Sequence, residues 1–150
     1  MKHINEIIKA NGPANLMTGD SNSCTVKALS ATFKISYDQA YDYAATMWAR
    51  KKGRGVRTME ILKTFPASID QSATVLGGTV TKVRATKDYK QPDRTIKTRK
   101  MTLGTFTSTY RTGTYYVLVK GHALAVIDGE VVDFKEEFGR KIMDAWKVNK

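Results

Sequence analysis

A thiol, an imidazole and a carboxylate are enough for acyl transfer through a thioester. The chain has one cysteine, Cys24, and two histidines, His3 and His122. A polar run, Thr18-Gly19-Asp20-Ser21-Asn22-Ser23, precedes an apolar-periodic stretch from Cys24 to Phe33. Ser21 or Asn22 is a natural N-cap, which places Cys24 in the first turn of a helix. Partial positive charge gathers there and favours the thiolate, the working nucleophile. An imidazole beside it would complete the ion pair and protonate the leaving group. A third group would hold the imidazole's tautomer and orientation. Each residue also has a plainer reading: Cys24 as a small buried hydrophobe, His122 as a structural residue at a strand start, Asp133 as an exposed strand-end acid.

The spacing of the C-terminal half selects the acid. His122–Ile127 and Glu130–Phe134 read as strands joined by Asp128-Gly129, the strongest two-residue hairpin signal. With those two residues in the turn, Ile127 opposes Glu130, Val126 opposes Val131, Ala125 opposes Val132 and Leu124 opposes Asp133. Side chains alternate faces, so His122, Leu124 and Val126 share a face with Val131 and Asp133. Asp133 is then a diagonal neighbour of His122, about 7–8 Å away between backbone positions. Asp128 lies roughly 20 Å along the strand and is explained by turn chemistry. A one-residue change in the turn would reverse the face assignment.

The elements that must carry these groups are also readable. Ile4, Ile7 and Ile8 predict a short helix over residues 3–10, stopped by Asn11-Gly12-Pro13. Ser36-Tyr37-Asp38-Gln39 is a capping box. Behind it, Tyr37, Ala40, Tyr41, Ala44, Met47 and Trp48 recur at helical spacing, with Arg50, Lys51, Lys52 and Gly53 closing the C-terminus. Met59–Phe65, capped by Thr58 and stopped by Pro66, is a third helix. Thr79–Arg84 alternates like a strand, residues 87–100 read as a basic mobile loop, and Thr102–Tyr110 as a short helix. Tyr115–Lys120 and an alternating tail, Lys141–Val148, complete the strands; Leu124, Val126, Tyr115 and Val117 read as core. Helices first and antiparallel strands after make an α+β chain.

Composition bounds the rest. At 150 residues the chain reads as a single domain, 1–150, with 41% hydrophobic residues, as in a globular protein. One cysteine forbids an internal disulfide. One Cys and two His do not supply the usual four ligands of a Cys/His zinc site, and no cofactor is expected. No apolar run is long enough to span a bilayer, and the first residues lack the apolar core of a secretory signal, so a cytoplasmic setting without membrane contact is expected. The 25 Lys+Arg exceed the 14 Asp+Glu by 11, a field that favours polyanions.

Two blocks resemble a known family. Asn22-Ser23-Cys24-Thr25-Val26-Lys27-Ala28-Leu29-Ser30-Ala31-Thr32, continued by Ser36-Tyr37-Asp38-Gln39-Ala40-Tyr41, is similar to the opening of small papain-like cysteine peptidases common in bacteriophages. Gly113-Thr114-Tyr115, then Gly121-His122-Ala123-Leu124-Ala125-Val126-Ile127-Asp128-Gly129 and Val132-Asp133, resembles the same group's ending. The resemblance covers most of residues 20–148. It departs at Ser23, where the group has Asp, at Lys27, where it has Arg, and at Phe33-Lys34. It implies a papain-like fold with N-terminal helices packed on a C-terminal antiparallel sheet. Cys24 would be the nucleophile, His122 the general base and acid, Asp133 the orienting group, and the Cys24 N–H with the Asn22 amide the oxyanion donors. Asn22 is equally well read as a plain cap. Papain's glutamine, six before the cysteine, falls on Thr18. The implied reaction is hydrolysis of a peptide or isopeptide bond in a protein or peptide substrate, or of another amide, in a host cytoplasm or a virion.

Two segments concentrate the charge: Arg50, Lys51, Lys52, Arg54 and Arg57, and, within 87–100, Lys97, Arg99 and Lys100 among others. They suit nucleic acid or another polyanion, or are a solvated surface. No helix-turn-helix, zinc finger or RNP pattern accompanies them. The second functional reading is therefore a catalytically inactive papain-like domain that binds nucleic acid or a host or virion protein through its basic surface.

Overall fold

In chain order the computed structural model has β1 (Lys2–His3), α1 (Ile4–Ala10), a 3-10 turn (Asn15–Met17), α2 (Cys24–Phe33), α3 (Tyr37–Met47) and α4 (Thr58–Thr64). There follow β2 (Ser72–Val75), β3 (Gly78–Lys82), β4 (Thr86–Lys90), β5 (Ile96–Lys100) and α5 (Leu103–Thr109). The chain closes with β6 (Thr114–Val119), β7 (His122–Ile127), β8 (Glu130–Asp133) and β9 (Ile142–Asn149). The structure describes residues 1–135 and 137–150. Seven strands form one sheet in the order β1-β8-β7-β6-β9-β3-β2, and β4 and β5 form a separate hairpin. Every pairing is antiparallel except β1 with β8, so the fold is α+β with a mostly antiparallel sheet.

The central strands β6 and β7 are buried on both faces, which is why they read as near-continuous apolar runs. One face carries Tyr116, Leu118, Ala123, Ala125, Val132 and Trp146 against α1 to α4. The other carries Tyr115, Val117, Leu124, Val126 and Val131 against Leu103 and Phe106 of α5. Small residues on both sides, Ala28 and Ala31 of α2 and Ala123 and Ala125 of β7, let the helix that opens on Cys24 lie directly on the sheet. The Tyr116 hydroxyl donates to the Thr25 carbonyl at 3.4 Å, tying the first turn of α2 to β6.

The turn between β7 and β8 is as expected. Asp128 and Gly129 both have positive φ, 50° and 76°, the requirement of a type I′ turn. The register pairs Ile127 with Glu130, Val126 with Val131 and Ala125 with Val132. Asp128 accepts from the Gly113 N–H at 3.0 Å, a turn role. The capping box at Ser36 and Gln39 is present in both directions.

Other expectations are corrected. Residues 87–100 are no loop: most of them lie in the exposed β4–β5 hairpin. α3 stops at Met47, before the basic run, because the chain turns through Ala49 at φ 52°. α2 is entered through Ser23, and no side chain caps it. α4 begins at Thr58 itself, after Arg57. β1 and β2 had no signal in the sequence.

Candidate active site

β7 opens on His122 and β8 ends on Asp133, so the I′ turn and its register bring the two side chains together. His122 Nε2 lies 2.8 Å and 3.0 Å from the two Asp133 carboxylate oxygens. Asp133 also accepts from the Phe134 N–H at 2.8 Å and is nearly buried, at 6% exposure. The imidazole also lies beside the Cys24 thiol, near enough for each to shift the other's ionisation. With Nε2 committed to the carboxylate, Nδ1 is the nitrogen left for sulfur, and the carboxylate fixes that tautomer.

The electrostatics follow from these contacts. Asp133 first, then Cys24, raises the His122 pKa from 6.5 to about 9, against the effect of burial. Burial pushes the Cys24 thiol up. The adjacent His122 side chain, backbone N–H groups of Ala123 and Thr25 and the imidazolium charge outweigh it, and the net shift is down. The charged forms of the two groups favour each other.

The pair opens into a cleft of about 500 Å³. One wall is residues 20–25 with Lys27; another is Gly55, Val56, Thr58 and Ile61; Leu118, Val119, Gly121, Ala123 and Phe134 complete it. The β6–β9 register shifts between Leu118 and Val119, where the sheet meets the cleft. Among the described lining residues, Asn22 has the only side-chain amide. It adopts φ 51° and spends one Nδ2 hydrogen on the Gly53 carbonyl at 3.0 Å, leaving the second. Asn22 is thus no plain N-cap. Thr18 is exposed and does not line the cleft.

Sequence reasoning missed the support beneath this wall. Arg50 was expected at a polyanion-binding surface, but it is 5% exposed. Its Nη1 and Nη2 donate to the two Asp20 oxygens at 2.9 and 2.8 Å, and Nη2 also donates to the Ser21 carbonyl at 3.2 Å. Asp20 further accepts from the Tyr37 hydroxyl and from the Gly53 N–H at 2.8 Å. Burial raises the Asp20 pKa, and these partners lower it further than burial lifts it. The network ties the loop before Cys24 to residues 50–53, so Asn22 and the start of α2 are positioned together. No motif signals it, since the two partners stand 30 residues apart.

The remaining basic residues, Lys51, Lys52, Arg54, Arg57, Lys97, Arg99 and Lys100, are exposed. No described group of three or more His, Cys, Asp or Glu side chains is placed to hold a metal. No described helix is long and apolar enough to cross a membrane. No protein-family model, no curated protein and no solved structure matches the chain.

Proposed function

We propose that the chain is a papain-like cysteine peptidase of the small phage type, hydrolysing a peptide or isopeptide bond through a thioester. The observation that carries this reading is the Cys24–His122–Asp133 relay, with the nucleophile opening a helix and its two partners on adjacent strands. The Cys24 thiolate attacks the carbonyl carbon, forming a C–S bond and an oxyanion. The Cys24 N–H and the free Asn22 amide hydrogen receive that oxyanion. As it collapses, the C–N bond breaks and His122 passes its Nδ1 proton to the leaving amine. Neutral His122 then takes a proton from water, whose oxygen adds to the thioester. The C–S bond breaks, the acid leaves, and thiolate and imidazolium are restored. Asp133 holds the imidazole and favours its charged form. A lone thiol suits a reducing compartment such as a host cytoplasm.

The test is alkylation by iodoacetamide at about pH 6, where an ordinary thiol is inert. Rapid reaction at Cys24, lost in His122→Ala, is expected. Slow reaction that appears only above about pH 8 defeats the reading.

One observation favours a second activity on another surface. The β4–β5 register pairs Lys87 with Arg99 and Tyr89 with Lys97, so these four side chains share one face of the hairpin. Lys87 and Arg99 lie 5.8 and 5.6 Å from the Tyr89 ring centre. Cations flanking an exposed aromatic suit phosphate and base contact. Lys100 pairs with Thr86 and points to the opposite face. Binding to single-stranded RNA or DNA that weakens with salt and with Tyr89→Ala is the expected result; no binding at about 50 mM salt removes it.

A further inference from the structure

Lys27 stands one helical turn after Cys24, on the same side of α2. Its side chain lines the cleft with Cys24 and His122. Among the described residues it has neither an ion-pair nor a hydrogen-bond partner. Its ammonium lies over the Phe134 ring, 4.5 Å from the centroid. Phe134 is itself 41% exposed, and its ring centre is 6.1 Å from that of His122. A half-buried ammonium normally has a counter-ion, because burial without one is costly. Both acids near it are committed elsewhere: Asp20 to Arg50, Tyr37 and Gly53, and Asp133 to His122 and the Phe134 N–H. Exposed Lys51, Lys52, Arg54 and Arg57 occupy the loop that supplies Gly55 and Val56 to the opposite wall. Asp20, Asp133 and the Cys24 sulfur attract the ammonium only at longer range, so Lys27 stands in the cleft without a counter-ion in direct contact, and a basic loop borders the facing wall.

We propose that Lys27 is a specificity-determining residue that binds a substrate carboxylate next to the scissile bond. The proposal rests on the peptidase reading for its reaction but not for its charge geometry. Phe134 holds the lysine in place by cation–π contact and packs along the substrate backbone. The basic loop steers acidic peptides towards the cleft, which gives the excess charge of the chain a kinetic role. The carboxylate comes either from an Asp or Glu side chain or from a chain end, and the two sources are separable by experiment.

Two alkylating agents of nearly equal size read the charge directly. Iodoacetate carries a carboxylate and iodoacetamide does not. Their rate ratio at Cys24 is measured at about pH 6 and again near pH 9, where even an unactivated thiol reacts. Lys27→Gln is expected to lower the ratio about fivefold, the worth of one partly exposed ion pair. Lys9→Gln removes the same unit of charge at a residue that does not line the cleft and should change the ratio far less. Because the ratio is read at both pH values, loss of thiol activation would defeat the peptidase reading without affecting this measurement. Protection of Cys24 by acetylated tripeptides then distinguishes the sources. One carries a central Asp and an amidated end, one is all-Ala with a free carboxylate end, and one is all-Ala and amidated. Stronger protection by either charged peptide, lost in Lys27→Gln, supports the proposal and names the source. An unchanged ratio in Lys27→Gln, or equal protection by all three peptides, overturns it.

Discussion

Replacing Asp133 by Asn keeps the shape of the relay and removes its charge. An amide oxygen in the Oδ1 place can still accept from both His122 Nε2 and the Phe134 N–H, which lie 3.0 and 2.8 Å from it. What is lost is the carboxylate 2.8 Å from Nε2. The rise of the His122 pKa from 6.5 to about 9 corresponds to about 3 kcal/mol in favour of imidazolium, with Asp133 as its first cause and Cys24 its second. A charge-assisted hydrogen bond supplies about 1.5–3 kcal/mol of that, a factor of roughly 10–150 in the thiolate–imidazolium population. The assay is the second-order rate of iodoacetamide alkylation across the acid limb of the pH profile. In Asp133→Asn the limb should move up by about one to two pH units. Thermal unfolding gives an independent check. A folded-state pKa raised above its unfolded value contributes stability fully present below about pH 6.5 and lost as pH rises through about 9. The stability gap between wild type and Asp133→Asn should therefore be largest in mild acid and close in that window. Superimposed alkylation profiles, or a gap that does not change with pH, would refute the assignment of Asp133 as the group that holds the charged imidazole.

Three further outcomes follow from the same geometry. Asn22→Ala should lower acyl turnover about 10²–10³-fold while slowing alkylation far less, since alkylation forms no oxyanion; comparing the two rates checks it. Arg50→Met leaves the Asp20 carboxylate buried without its cation and should cost about 3–5 kcal/mol in urea unfolding, partly recovered when Asp20→Asn is added. Gly129→Ala should cost about 1–2 kcal/mol by thermal unfolding. Its φ is 76°, and an added Cβ would meet Arg111 and Thr107 backbone atoms at 3.3–3.4 Å.

What was legible in the sequence had local chemistry behind it. Asp128-Gly129 specifies a turn, a turn specifies a register, and the register identifies Asp133 over Asp128 as the partner of His122. The capping box at Ser36 marks the start of α3, and the polar-to-apolar change at Cys24 marks that of α2. What stayed hidden depends on partners distant in sequence. Arg50 sits in a run of five cations, and only the fold reveals that Asp20 has buried it. β1 is two residues long and exists because β8 offers an edge. β2 is short and largely polar, so it shows little alternation. The β4–β5 hairpin is exposed on both faces, which leaves no apolar face for the pattern to reveal. Asn22 was legible as a polar residue at a helix start, but the partner of its side chain, the Gly53 carbonyl, lies 31 residues away.

The hairpin that joins His122 to Asp133 also separates two kinds of sequence change. The partners stand 11 residues apart. Substitution between them alters packing and leaves each side chain on its own face. Insertion or deletion of one residue changes the phase of one arm and sends an active group to the wrong side of the sheet. Residues 122–133 are therefore constrained in length more tightly than in composition. Residues 91–95, at the tip of the β4–β5 hairpin, carry no such constraint. A foreign segment, such as an epitope or a second binding module, is best grafted there. A single-residue insertion at Asp128-Gly129 is the minimal lesion that would disable the site with Cys24, His122 and Asp133 all still in the chain.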